Sequence, residues 1–449
     1  MKIKFLGASG TVTGSSYVLT STSGQSIMID LGSFQGTPDI EKYNHEPVDF
    51  DLSTLSGMIL THAHLDHCGR LPILSKNGFK ENIFCTAPTM DLTKITLEDS
   101  VKIAREDKTL EMFNAKDVEN TLKRLVAIDY RNDLHLGDFQ IRLRDAGHIL
   151  GSSSIEIIDK KALGQNKKVV FSGDIGNYPA QLEEKTEFID DGDVVIMEST
   201  YGDRLHSKEN PLEALRSEIN AVEVSGGTLL IPSFSLDRAQ ELMHMIRHLK
   251  EDGKVLKETP VILDSPMAEK ATIVYTKYPV LLNDHIESEA KMGSIFDFAG
   301  LEVTKNFKES ERIHARNEAK VIIAGSGMMM GGRIVNHAKY YLGDSNNRLM
   351  IVGYQGVGTL GRDLLEGKKQ VNVDGINLTV NAIVNDTQGL SAHADQEQLM
   401  KWLKNIKNVK KVFLTHGDDE ARKTLTQKIN NELGLKDVIL PMLNQEFDF

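Results

Sequence analysis

The sequence predicts an α/β protein in which a strand-rich body is interrupted by a second domain built on a parallel sheet. Three observations carry that expectation. At 449 residues the chain is longer than one hydrophobic core usually serves. Its N-terminal part is dense in short apolar runs closed by Gly, Asp or Ser, and from residue 206 the rhythm changes to strands and helices in alternation. Near residue 369 it turns back to strand patterns.

In chain order, the opening Lys2-Ile3-Lys4-Phe5-Leu6-Gly7 and the run 15–19 predict paired strands joined by a Gly/Ser/Thr-rich turn, continued by a strand over 26–30. Apolar runs at 57–61, 169–172 and 194–197 read as buried strands. Residues 90–123, charged and nearly free of Gly and Pro, predict helix over the outside of this body. Helices are then expected at 211–224, 237–250 and 267–277. They alternate with strands at 228–232, 260–263, 320–324 and 348–352, the signature of a parallel sheet with crossover helices. Strand patterns at 377–384 and 409–415 and a helix at 420–433 complete the chain. The expected division is 1–205 for the first part of the outer domain, 206–368 for the insertion and 369–449 for the second part.

The formal net charge of −12 excludes adhesion of the whole surface to nucleic acid or anionic membrane. A polyanionic substrate would need positive potential concentrated locally by metal ions, arginines and backbone N–H groups. Two cysteines, Cys68 and Cys85, are too few for a disulfide framework and suit a reducing compartment. With no signal-like start and no long apolar stretch, the expected location is the cytoplasm, without a membrane partner.

The chemistry starts at His62-Ala63-His64-Leu65-Asp66-His67, directly after an apolar run. A lone histidine is most often a hydrogen-bonded core or surface residue. Three imidazoles and a carboxylate at one strand end are a metal-ligand supply, dense enough for two neighbouring ions. His148 in Asp145-Ala146-Gly147-His148, Asp174 in Phe171-Ser172-Gly173-Asp174 and His416 in Phe413-Leu414-Thr415-His416-Gly417 are further candidates, the last two just beyond apolar strands. Cys68 beside the run reads as packing. Farther on, Gly325-Ser326-Gly327-Met328-Met329-Met330-Gly331-Gly332-Arg333 joins a strand to a helix, where exposed N–H groups can hold phosphate. It matches neither the dinucleotide fingerprint nor a P-loop, and Gly7 to Ser16 likewise lacks the P-loop lysine.

On these residues the sequence resembles the metallo-β-lactamase superfamily and, within it, the β-CASP ribonuclease family, which includes the cleavage and polyadenylation specificity factor endonuclease and its bacterial relatives. The resemblance runs nearly end to end and implies an αββα sandwich carrying an inserted parallel α/β β-CASP domain. It implies that His62, His64 and His148 bind one zinc, that Asp66, His67 and His416 bind another, and that Asp174 bridges them, with Asp30 ordering the ligands from behind. Manganese is the alternative ion.

The family's additional markers fall on Glu198 in Met197-Glu198-Ser199-Thr200, His393 in Ser391-Ala392-His393-Ala394 and His416. Asp66, Glu198 and His393 are thereby the catalytic candidates, with His393 protonating the departing sugar oxygen and Glu198 holding its imidazole charged and oriented. Ser233, Ser235, Arg238, Ser326, Gly327, Met328, Arg333 and Arg362 match the family's phosphate contacts, and Asp237 stands where relatives often carry Gly.

The implied function is a zinc-dependent, two-metal ribonuclease acting on single-stranded RNA. It would be mainly endonucleolytic, with 5′-exonuclease activity as a second mode, and would leave 5′-phosphate and 3′-hydroxyl ends. His416 at the third marker favours RNA over DNA by the same resemblance. A DNA nuclease of the same fold and a small-molecule ester or thioester hydrolase are the alternatives. The inserted domain favours a long substrate in a groove. Whether the chain is a monomer or a homodimer stays open.

Overall fold

Short apolar runs cannot bury both faces alone, and in the computed structural model they do so by stacking two sheets. The structure describes residues 1–106, 112–162, 167–356 and 358–449. The chain divides into two compact units, Met1–Leu205 with His393–Phe449 and, between them in sequence, His206–Ala392.

In the first unit, one sheet runs Glu446–Asp448, Lys2–Phe5, Ser16–Thr20, Ser26–Leu31, Leu55–Ile59, Ile83–Cys85, Leu125–Ala127. The other runs Val438–Ile439, Lys411–Thr415, Val194–Glu198, Lys167–Phe171, Ser153–Asp159, Phe139–Asp145, Asp133–Leu136. Alternate residues of each strand meet between the sheets, where Ile3, Phe5, Leu19 and Ile29 pack with Phe139, Ile157, Ile196 and Phe413. Helices cover both outer faces. Leu71, Leu74 and Leu97 lie with Met28 and Met58 on one, while Leu399, Trp402, Leu403 and Leu425 lie with Val195, Met197 and Leu414 on the other. The result is the helix–sheet–sheet–helix sandwich that the resemblance implies.

Val194–Glu198 pairs in parallel with Lys167–Phe171 on one side and Lys411–Thr415 on the other. The C-terminal segment therefore adds strands at the edge of each sheet, and Lys411–Thr415, Val194–Glu198 and Lys167–Phe171 end side by side. The expected helix at 90–123 is Ala87–Glu106 followed by Ala115–Leu122, the latter started by an Asn114–Asp117 capping box. Residues 107–111 of that stretch lie outside the described residues.

The second unit is a six-stranded sheet in the order Leu301–Val303, Val261–Asp264, Lys320–Ala324, Thr228–Pro232, Arg348–Ile351, Ile383–Asp386. Every pairing in it is parallel, as crossover helices require. Pro211–Ser225, capped by Asn210 and ended by Gly226 at φ 72°, is the first of those helices.

The second unit ends at residue 392 and not at 368. The physical reason is that Ile383–Asp386 adds to Arg348–Ile351, and the hairpin of Gln370–Val373 with Ile376–Thr379 buries Val371 and Val373 against Ala338 and Tyr341. A strand pattern does not say which sheet it joins. Among the described residues no helix is long and apolar enough to cross a membrane.

Phe413, fully buried, has its ring 5.1 Å from Phe5 and 5.0 Å from Phe447. Phe413→Ala is expected to destabilise the first unit by about 3–5 kcal/mol, read as a lower midpoint of chemical denaturation.

Candidate metal centre

The functional side chains of the first unit sit where its strands end. The run His62 to His67 begins just past Leu55–Ile59, His148 follows Phe139–Asp145, Asp174 follows Lys167–Phe171, and His416 follows Lys411–Thr415. Asp30 and His416 hold left-handed backbone, with φ of 54° and 48°, which turns each side chain inward at the end of its strand. Gly173 has φ of 56°, and a Cβ there would lie 2.6 Å from the Ser153 carbonyl oxygen, so only glycine lets Asp174 turn in.

Two groups of donors result. His64 Nδ1 is 3.1 Å from both His62 Nε2 and His148 Nε2, and Asp174 Oδ2 lies 3.5 Å and 3.6 Å from those two Nε2 atoms. In the other group His416 Nε2 is 3.2 Å from His67 Nε2 and 3.1 Å from Asp66 Oδ2. The same Asp174 Oδ2 lies 3.3 Å from His67 Nε2 and 3.7 Å from His416 Nε2. The seven residues expected to form the centre are thus brought together around one shared carboxylate oxygen.

These donors fit divalent metal. Ligand atoms bound at about 2.0–2.2 Å to one ion stand roughly 3–4 Å apart, and the distances here run from 3.1 to 4.0 Å. Asp174 Oδ1 is buried without a hydrogen-bond partner among the described residues, a group that otherwise costs free energy. Burial holds His62 and His64 below the ordinary imidazole range, the neutral state that donates a lone pair. Burial opposes ionisation of Asp174, yet His416, His67 and His62 around it hold its carboxyl well below the usual range.

Behind the donors stands Asp30. Its Oδ2 is 2.7 Å from His67 Nδ1, and Thr61 donates to it through N–H and Oγ1–H, both at 2.7 Å. Beside the donors stands His393, whose Nδ1 is 3.2 Å from each oxygen of the buried Glu198 and whose ring centre is 4.5 Å from that of His148. Glu198 accepts from the Ile175 N–H at 2.6 Å and from Thr200 Oγ1 at 2.6 Å. Burial works against protonation of His393, but Glu198, with Asp174 and Asp66 farther off, pushes its pKa up to about 9. Thr200 Oγ1 is also 3.1 Å from His416 Nδ1. Thr61 and Thr200 carried no expectation, because a single hydroxyl has no spacing to recognise.

The expected phosphate contacts lie in the second unit, at the carboxyl ends of its parallel strands, where open α/β sheets bind ligands. Ser235 Oγ is 3.0 Å from Ser265 Oγ, Ser233 Oγ donates to the Phe234 carbonyl, and Ser326 Oγ accepts from the Met330 N–H. A Cβ on Gly327 would lie 2.6 Å from the Phe234 ring, so this loop needs glycine to close on its neighbour. Gln355 donates to the Gly327 carbonyl, and the Gly361 N–H points to that of Met328. The arginines are engaged by carboxylates. Arg238 is buried against Glu241, Arg333 binds Asp264, and Arg362 binds Glu366 at 2.6 Å. Asp237 takes φ of 70°, the left-handed conformation that Gly adopts without strain. Val357, within the expected stretch 356–362, lies outside the described residues.

Three family models match the chain. The metallo-beta-lactamase superfamily covers residues 9–219, the Beta-Casp domain 239–364, and the Zn-dependent metallo-hydrolase RNA specificity domain 377–441. Ribonuclease TTHA0252 of Thermus thermophilus is 35% identical over 424 residues, 94% of each chain. The chain belongs to the β-CASP ribonuclease family of the metallo-β-lactamase superfamily. This β-CASP chain is a metallo-hydrolase, and divalent-metal binding comes with that membership.

An RNase J-like protein of Methanocaldococcus jannaschii is 32% identical to it, over 93% of this chain and 92% of that one. Transcription termination factor FttA of the same organism is 30% identical over 93% of this chain and 67% of its own length. A solved structure of a protein of unknown function from Enterococcus faecalis V583 shares the fold, with a TM-score of 0.53 at 11% identity and 99% of both chains covered.

Asp30→Ala is expected to weaken divalent-metal affinity about 10–100-fold by releasing the His67 ring, measured by competition with a chelating dye. A second test concerns Asp264, which is buried but held at about 2 by His337, Ser310, Thr304 and Arg333. Its folded pKa is depressed, so its stabilisation is complete above the ordinary Asp value and is lost as pH falls through about 2. Asp264→Asn is expected to cost on the order of 2 kcal/mol at pH 7 and to flatten the acid limb of the second unit's stability curve.

Proposed function

We propose that this β-CASP protein is a zinc-dependent ribonuclease that hydrolyses phosphodiester bonds of single-stranded RNA. It acts mainly as an endonuclease, with 5′-exonuclease activity as a second mode, and leaves 5′-phosphate and 3′-hydroxyl ends. The observation that carries the reading is the Glu198–His393 pair beside the donor cluster, since a hydrolase of activated small esters has little need of a dedicated acid next to its metals. The names of the ribonuclease and RNase J-like relatives support RNA as the substrate class.

In this proposal His62, His64 and His148 hold one zinc, Asp66, His67 and His416 hold the second, and Asp174 serves both. Manganese is the alternative ion. Bound there, the two ions supply Lewis-acid stabilisation of charge developing on the phosphate and a lowered pKa for the attacking water. Glu198 accepts the hydrogen bond from His393 Nδ1–H, which fixes the ring and leaves the transferable proton on Nε2. His393 gives that proton to the departing ribose oxygen, which is a poor leaving group without it. Glu198 is itself held from two sides by the Ile175 amide and the Thr200 hydroxyl, so the ring cannot drift when its charge changes.

On the second unit, the Ser233 and Ser235 hydroxyls and the backbone of Ser326, Gly327 and Met328 provide the phosphate contacts. Arg238, Arg333 and Arg362 act through the carboxylates they hold and shape these loops. Recognition by amides and hydroxyls suits a protein of net charge −12. Two buried, free cysteines, Cys68 and Cys85, suit action in the cytoplasm.

The deciding experiment is cleavage of end-labelled RNA and of single-stranded DNA of the same sequence, with metal content measured on every sample. RNA is expected to be cut internally. His393→Ala should retain its metal and lose about 10²–10⁴-fold in rate. Cleavage of the DNA alone, or an unchanged rate in His393→Ala, would reject the proposal.

A further inference from the structure

A second group of metal-capable side chains lies in the other unit and plays no part in the proposed reaction. His244 and His248 are one turn apart on the helix Arg238–Glu251, and His285 and Glu289 are one turn apart on the helix Asp284–Met292. Each spacing puts its two side chains on one face, and the two faces meet. His244 Nε2 is 3.1 Å from His248 Nε2 and 3.2 Å from Glu289 Oε2. His248 Nε2 is 3.1 Å from Glu289 Oε1, and His285 Nε2 is 2.9 Å from that same oxygen.

Two imidazole nitrogens at 3.1 Å have one lone pair too many unless a proton or a cation lies between them. Here a carboxylate closes the triangle. The ligand atoms of His244, His248 and Glu289 all lie within 4.8 Å of one another.

We propose that His244, His248 and Glu289 form a divalent transition-metal site, selective for Zn2+-like ions, that ties these two helices together, with His285 as a supporting group at its solvent edge. Two imidazoles and one carboxylate select a borderline ion such as Zn2+ and discriminate against Mg2+ and Ca2+, which take oxygen ligands. Glu251 Oε2 stands 3.9 Å from His248 Nδ1, an ion-pair separation on the far side of that ring, and Arg247 pairs with Glu289. Glu289 is 8% exposed, His244 5% and His248 32%, so the cluster is buried on one side and open on the side where His285, 76% exposed, stands.

The test uses the full chain, stripped with chelator, reloaded with Zn2+ alone and freed of unbound ion. Elemental analysis is expected to find one zinc fewer per chain in His248→Ala and in Glu289→Gln than in the unmodified protein. RNA cleavage in His248→Ala is expected to be unchanged. In an Asp66→Ala background, adding His248→Ala should again remove one ion, which separates this site from the centre in the first unit. His285→Ala, at an exposed position that folding tolerates, is expected to weaken the affinity for this ion about tenfold by titration. Equal zinc in the unmodified protein and the folded His248→Ala and Glu289→Gln variants overturns the proposal. So does unchanged affinity in His285→Ala, which decides the matter if the other variants do not fold.

Discussion

The carboxylate of Asp174 is 2% exposed, and one of its oxygens faces four imidazole nitrogens at 3.3 to 3.7 Å. An ionised carboxylate so far from water costs several kcal/mol unless charge and hydrogen bonds compensate. That compensation has to come from several strand ends at once. Parallel pairing of Val194–Glu198 with both its neighbours sets Asp174, Glu198 and His416 side by side, and Gly173 lets the chain turn at the one position where a Cβ would collide. The opposite sheet contributes Asp30 and the loop carrying His62 to His67. Phe413 and its aromatic neighbours keep the two sheets in register beneath the cluster.

The sequence carries some of this arrangement and is silent on the rest, for physical reasons. His62 to His67 is legible because its donors are contiguous, and His148, Asp174 and His416 because each sits in a strand-end context that resembles a known family. The parallel sheet of the second unit is legible in the alternation that begins at residue 206. The return to the first unit at residue 393 is not, because the strand Ile383–Asp386 has the same local pattern whichever sheet it joins. The pairs His244–His248 and His285–Glu289 have helical spacing in the sequence, but nothing there says that their two helices face each other.

The arginines show the same limit from the charge side. Sequence reports that Arg238, Arg333 and Arg362 are cationic and leaves their partners unstated. Each is matched by a carboxylate close in space, and for Arg333 that partner, Asp264, stands 69 residues earlier in the chain. Asp264 also gathers Thr304, Ser310 and His337, so the segments that follow Leu301–Val303 and Lys320–Ala324 share one acceptor at the end of Val261–Asp264. A buried acceptor so fully satisfied stiffens the loops around it. These three cations are thereby held by carboxylates of their own unit and shape its loops, which in the proposed reading leaves phosphate contact to hydroxyls and amides.

The two threonines missed in the sequence explain why the histidines of the first unit present lone pairs where they do. A carboxylate can only accept, so Thr61 must give its hydroxyl proton to Asp30 and Thr200 must give its own to Glu198. Each threonine oxygen is then left as an acceptor, 3.1 Å from His62 Nδ1 in one case and 3.1 Å from His416 Nδ1 in the other. Both rings carry their proton on Nδ1 as a result, and both turn an unprotonated Nε2 toward Asp174. The His67 ring is held directly, through Nδ1 to Asp30. Two carboxylates at the back of the site thus hold three rings at its front, two of them through a hydroxyl. Because Glu198 also holds His393, one carboxylate positions that ring directly and, through Thr200, the ring of His416.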